Sequence, residues 1–102
     1  MNIVAVDLES NTIFVAGRPH KVAAKTAECF EAMLRTNGRV ANWDYLKTSL
    51  WGAFDSPEYA DQIIRMHVCY IRKIVNGAVL IENIRNRGYR VGLPLDREGV
   101  IN

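Results

Sequence analysis

Arginine grips phosphates and guanine edges well, because its planar guanidinium offers parallel N–H donors and keeps its charge at any physiological pH. In this chain the basic residues are gathered. Between residues 65 and 90 stand Arg65, Arg72, Lys73, Arg85, Arg87 and Arg90 against one acid, Glu82, a net of +5. The remainder holds seven Lys/Arg against ten acids, a net of −3. A nearly neutral chain that places its positive charge in one segment has the electrostatic footprint of a nucleic-acid binder. The cations occur in two settings. In residues 61–75, Ile64, Val68, Ile71 and Val75 recur at helical spacing, which makes them one buried stripe. Gln62, Arg65, Met66, Cys69, Arg72 and Lys73 then fall on the opposite side, a polar and basic one. Arg85, Arg87 and Arg90 surround Asn86 and Gly88, a pair with turn chemistry.

Each of these residue types has a task it suits. Arg pairs bidentately with guanine and Gln with adenine, so Gln62 and Arg65 are the expected base readers. Arg72 and Lys73 are expected to hold phosphates. Tyr70, near the edge of the apolar stripe, either touches a phosphate or a thymine methyl, or packs beneath the hairpin that follows. Arg87 at a turn tip has no structural task, and an arginine there suits a narrow, electronegative minor groove. Arg85 and Arg90, just inside the turn, are placed to flank a phosphate ridge. The competing account is an ordinary amphipathic helix whose arginines only face water; Arg87 tells against it.

Other chemistry is poorly provided for. Cys29, Cys69, His20 and His67 lack ligand spacing, so no metal or cofactor is expected. Cys69 near Arg65 and Arg72 leaves a redox-sensing thiol as a lesser alternative. No nucleophile stands beside a base and no carboxylates pair, so an enzyme is not expected. The 49% hydrophobic and 24% charged content is ordinary for a soluble domain. No apolar run approaches the ~20 residues of a membrane span. The first residues lack a basic n-region and a cleavage site. A cytoplasmic protein with reduced thiols and no membrane partner is the expectation.

The elements that must position these residues read in order. Residues 3–6, 12–15 and 20–22 are short strand-like runs separated by turns. Thr26 caps a first helix with Glu28 in its first turn and Ala27, Phe30, Met33 and Leu34 inward; Asn37 and Gly38 end it. Asn42 caps a second helix, with Asp44 in its first turn and Leu46 and Leu50 as core. Trp43 and Trp51 share that burial, and Gly52 closes the helix. Ser56, Pro57 and Glu58 signal the start of a third helix between residues 57 and 61, which Asn76 and Gly77 stop. Residues 79–84 and 89–93 are strands across a turn at 85–88. Pro94 ends the pattern, so one domain spans 1–94 and residues 95–102 form a frayed tail. The order β-β-β-α-α-α-β-β is an α+β winged helix-turn-helix: an N-terminal antiparallel sheet, three helices and a C-terminal β-hairpin wing.

On these elements the chain resembles the DNA-binding effector domains of OmpR/PhoB-type bacterial response regulators. The resemblance runs through Val6-Asp7, Val15-Ala16-Gly17, Arg39-Val40 and Leu50-Trp51-Gly52. It is strongest at His67-Val68, Ile71-Arg72-Lys73, Ile84-Arg85 and Gly88-Tyr89-Arg90. It implies a four-stranded N-terminal sheet, three helices and a wing. It further implies sequence-specific duplex binding, often as tandem copies on direct repeats, and a loop after the second helix that touches RNA polymerase. By position, Arg72 and Lys73 match basic recognition-helix residues, Arg85 the wing arginine, and His67 a residue that supports the helix or touches a phosphate. The chain departs from the pattern at Gln62, where Arg is common, and Arg65, where Asp is usual. It departs again at Cys69 and Tyr70, where basic residues are frequent, and at Asn86, which replaces a glycine. The loop between the second and third helices is about two residues longer. A receiver domain is not expected within the 102 residues.

Two functions follow. One is a stand-alone transcription regulator that reads duplex DNA. The other is a winged-helix adaptor that contacts RNA polymerase or another regulator and reads DNA weakly, favoured by Cys69, Tyr70 and the longer loop.

Overall fold

The computed structural model describes residues 3–92. Strands β1 (Val4–Asp7), β2 (Thr12–Val15) and β3 (Arg18–Lys21) form an antiparallel sheet in that order. Helices α1 (Ala24–Leu34), α2 (Trp43–Trp51) and α3 (Ala60–Val75) follow, with a two-residue strand β4 (Ala41–Asn42) ahead of α2. Strands β5 (Leu80–Ile84) and β6 (Gly88–Gly92) close the fold as a hairpin, with β6 central in the order β4-β6-β5. The winged helix-turn-helix architecture is therefore the observed one. The ending of the last strand at Leu93 and Pro94, and the tail 95–102, lie outside the described residues.

The core sits where the helices meet both sheets. Phe30, Met33, Leu46, Ile64, Val68 and Ile71 are buried in it, with Val4 and Ile13 from the first sheet and Tyr89 and Val91 from the second. All four residues of the α3 stripe, Ile64, Val68, Ile71 and Val75, are buried as their spacing requires. Asn42 caps α2 by accepting the Tyr45 N–H at 2.8 Å, and Gly52 ends that helix with φ +85°. Asn76 ends α3 in the left-handed conformation. Trp43 and Trp51 are only half-buried and pack against the core from outside it.

Three expectations change. Thr26 does not cap α1: the helix begins at Ala24, no acid lies in its first turn, and Ala23 precedes it without a side-chain cap. The Thr26 hydroxyl is spent inside the fold, hydrogen-bonded to His67 Nδ1 at 2.9 Å. Helix α3 begins at Ala60, within the expected 57–61, but Ser56 does not cap it: Ser56 and Pro57 lead into a turn in which the Ala60 N–H donates to the Pro57 carbonyl, and Tyr59 precedes the helix without a side-chain cap. The first sheet has three strands among the described residues, not four. A separate two-residue strand that the sequence leaves unmarked, β4, pairs Ala41 with Tyr89 and Asn42 with Gly88 in the other sheet. Such a short pairing has no periodicity of its own; it exists because β6 supplies the partner.

Candidate nucleic-acid interface

The exposed side of α3 divides into three strips. At about 100° per residue, Gln62, Met66, Cys69 and Lys73 form the outermost crown, Arg65 and Arg72 the edge toward the wing, and Tyr70 the opposite edge. All seven are exposed. The helix is held from beneath by the stripe and from two ends by polar contacts. Lys47 of α2 pairs with Asp61 at 2.7 Å. His67, 6% exposed, bonds Thr26 of α1. Burial, aided by the charge of Lys25, lowers the His67 pKa and keeps the ring neutral. His67 thus supports the helix from the core side.

The wing edge is organised around aromatic rings. The Arg65 guanidinium lies 5.3 Å over the Trp43 ring, and Trp43 meets Tyr89 edge-on with centroids 5.6 Å apart. Arg72 stands 6.0 Å from the Tyr89 ring and donates to the Ile81 carbonyl at 2.6 Å. Burial raises the Tyr89 pKa, opposed by the charges of Arg65 and Arg72 beside it. Arg72 therefore ties α3 to β5, a structural task its sequence position does not disclose. Arg90 faces Glu82 across the hairpin and pairs with it at 2.5 Å. The phosphate-holding expected of Arg72 and Arg90 is left to what their guanidinium groups offer beyond these bonds.

The turn of the wing holds Arg85, Asn86 and Arg87, all exposed. Asn86 has φ +62°, the left-handed angle that Asn tolerates better than most residues. Among the described residues no acid lies within ion-pair distance of Arg85 or Arg87. The Arg87 carbonyl accepts the Trp43 N–H at 3.1 Å, so the wing tip is fastened to the start of α2. On the far edge, Tyr70 and Lys73 line a shallow apolar hollow of about 340 Å³ with Val22, Ala23, Thr26 and Ile74. Tyr70 thus leans toward α1 and β3, not beneath the wing.

The structure brings Arg65 and Arg85 to one cleft where α3 meets the wing, with Arg72 beside it against the Tyr89 ring. Arg87 stays at the turn tip, strand alternation turns Arg90 with Glu82 to the hairpin face opposite Tyr89 and Asn83, and Lys73 and Tyr70 line the far hollow. It also adds residues that the sequence reading had not placed at the surface site: Trp43, Asn83 and Asn86. Trp43 had read as a core aromatic. The signal was its position directly after the cap, where a side chain is as free to flank a neighbouring element as to enter the core.

No group of three or more His, Cys, Asp or Glu among the described residues is placed to hold a metal ion. No helix there is long and apolar enough to cross a membrane. Cys29 is sealed in the core, where burial pushes its thiol up to about 12; Cys69 is exposed on the crown.

Residues 17–91 match the family described as "Transcriptional regulatory protein, C terminal". Two solved structures share the fold. The DNA-binding domain of Escherichia coli CadC superposes with a TM-score of 0.72 at 18% identity, covering 90% of this chain and 88% of that one. The Klebsiella pneumoniae RstA DNA-binding domain, in complex with the RstA box, superposes with a TM-score of 0.70 at 16% identity, covering 89% and 92%. No curated protein matches the chain.

Proposed function

Since the chain belongs to the OmpR/PhoB-type DNA-binding domains of transcriptional regulatory proteins, we propose that it is a sequence-specific regulator that sets α3 in the major groove and the wing in the adjoining minor groove. One observation carries this reading: the exposed side of α3 and the wing, each basic, are fastened into a single surface, α3 to β5 by the Arg72 bond to the Ile81 carbonyl and the wing tip to the start of α2 by the Trp43–Arg87 backbone bond. A helix and a hairpin at fixed spacing fit two successive grooves of one duplex. The RstA domain, of the same fold, is bound to its box.

The crown of α3 is lightly charged, and its chemistry favours A·T pairs. Gln62 offers a bidentate carboxamide to adenine, and Met66, 46% exposed, and Cys69 offer apolar contact to thymine methyls. Arg65, Arg72, Lys73, Arg85 and Arg90 supply the cationic flank, Arg87 enters the minor groove, and Tyr70 sits at the margin. The protein works in the cytoplasm without catalysis, and copies associate on tandem sites. The loop 53–59 between α2 and α3 exposes Phe54 at 97% and Tyr59 at 64%. Two bare aromatics on one loop favour a protein partner there, RNA polymerase or another regulator, and this supports the adaptor as a second reading.

The experiment is a salt titration on random duplex, followed by enrichment of bound sites from a random pool. Affinity falls by orders of magnitude between ~50 and 200 mM salt if several phosphates are neutralised. A chain with little duplex affinity at any salt is the adaptor.

A further inference from the structure

Between the start of α2, the wing edge of α3 and the wing lies a cleft of about 440 Å³, lined by Trp43, Arg65, Asn83, Arg85 and Asn86. Its chemistry is one-sided: two guanidinium groups, two carboxamides and an indole, with no carboxylate. Among the described residues no acid lies within ion-pair distance of either arginine, although Arg90 on the next strand has Glu82. Two cations facing one space repel each other, and an anion between them turns that repulsion into attraction. Two guanidinium forks and two amide groups together match the several acceptor oxygens of a phosphate.

The Arg65 wall and the backbone of the wing tip are also fixed before any ligand arrives. Arg65 rests on the Trp43 ring. Trp43 in turn holds the wing tip through the Arg87 carbonyl. Gly88 lies so close to β4 that a Cβ there would stand 2.0 Å from the Ala41 carbonyl oxygen. Groups held in place in advance bind without the ordering cost of free side chains.

Position in the fold narrows the source of the anion. A helix in the major groove and a wing in the next minor groove must straddle one sugar–phosphate strand. The cleft lies between that helix and that wing. We propose that it seats one backbone phosphate of the bound duplex, gripped from two sides by Arg65 and Arg85, with Asn83 and Asn86 donating to it. Arg65 is then an anchor that sets how far α3 advances along the groove, and base reading passes to the crown. This rests on the duplex-binding reading above.

The test uses the full chain and a selected site in which single phosphates are replaced by neutral methylphosphonates. Neutralising one position of the strand between the two grooves is expected to weaken wild-type binding about tenfold. In Arg65→Gln and Arg85→Gln that same position becomes nearly indifferent, the other positions keep their effects, and the enriched consensus is unchanged. Arg85→Gln carries the test alone if Arg65→Gln proves unstable. The proposal is overturned if Arg65→Gln changes the preferred base at one position, or if no single phosphate couples to both arginines. If the chain binds no duplex, the wider reading fails, and inorganic phosphate decides the cleft. A saturable shift of the Trp43 indole and Arg65 Nε–H resonances, absent from Arg65→Gln, upholds an anion seat that takes free phosphate. No shift overturns it.

Discussion

The described residues form two three-stranded antiparallel sheets, and they are built in opposite ways. The first, β1-β2-β3, is made of consecutive strands joined by tight turns, so every pairing is local. The second, β4-β6-β5, takes one strand from before α2 and two from after α3. Its pairing of Ala41 with Tyr89 spans nearly half the chain. The local sheet carries part of the core and little else. The non-local sheet carries the wing, the Tyr89 ring under Arg72, and the cleft. The proposed DNA contacts gather where the chain had to bring distant residues together.

The two sheets can be told apart by a glycine in each. Gly88→Ala should be the most damaging change, costing about 4 kcal/mol, because backbone atoms of Ala41 and Asn42 stand in the way of a Cβ and cannot swing aside. A denaturant midpoint near wild type would mean that β4 and β6 part easily and that the wing is not fastened as described. Ile71→Ala, on the buried stripe of α3, should cost roughly 2–5 kcal/mol and serves as the reference for ordinary core loss. Arg87→Ala should leave stability unchanged but weaken binding by about 1–2 kcal/mol on sites with an A·T-rich flank, with the bases under α3 equally well discriminated. Paired sites differing only in the flank measure it, and a mutant that keeps full flank preference removes the wing from the minor groove. Gly17→Ala, in the turn between β2 and β3, should cost only about 1 kcal/mol. Its φ of +82° is strained for alanine, yet nothing lies within 4 Å of the added carbon. Duplex affinity should be untouched. Smallest of all, Lys73→Ala should shift stability by less than about 0.5 kcal/mol, and a larger loss in the melt would place the wrong side of α3 outward.

The same division explains what could be read in advance. The α3 stripe was legible because helical burial repeats within a few residues, and the Asn42 cap because capping is a contact between near neighbours. The basic corner was legible as charge. Thr26 misled because a threonine ahead of a helical run has the form of a cap; its true partner, His67, is far along the chain. β4 left no pattern, being two residues whose strand character comes from β6. Arg72 looked free for phosphate, yet it reaches the Ile81 carbonyl. Arg65 was read as facing a base, and only the fold sets Trp43 beneath it. Residue type and period announce local structure; partners brought together by the fold announce nothing.

The tie between Trp43 and the Arg87 carbonyl has a consequence for the order of assembly. During synthesis α2 emerges with its first N–H waiting for an acceptor on a wing turn not yet made. The local sheet and the helices have partners in hand much earlier. Contacts with large sequence separation form late, since the loop they close must first be confined. The surface proposed to grip a duplex therefore forms after the local sheet and the helices. A nascent chain lacking its final strand would hold a folded helix core but no cleft, and would pass genomic DNA with its wing unformed.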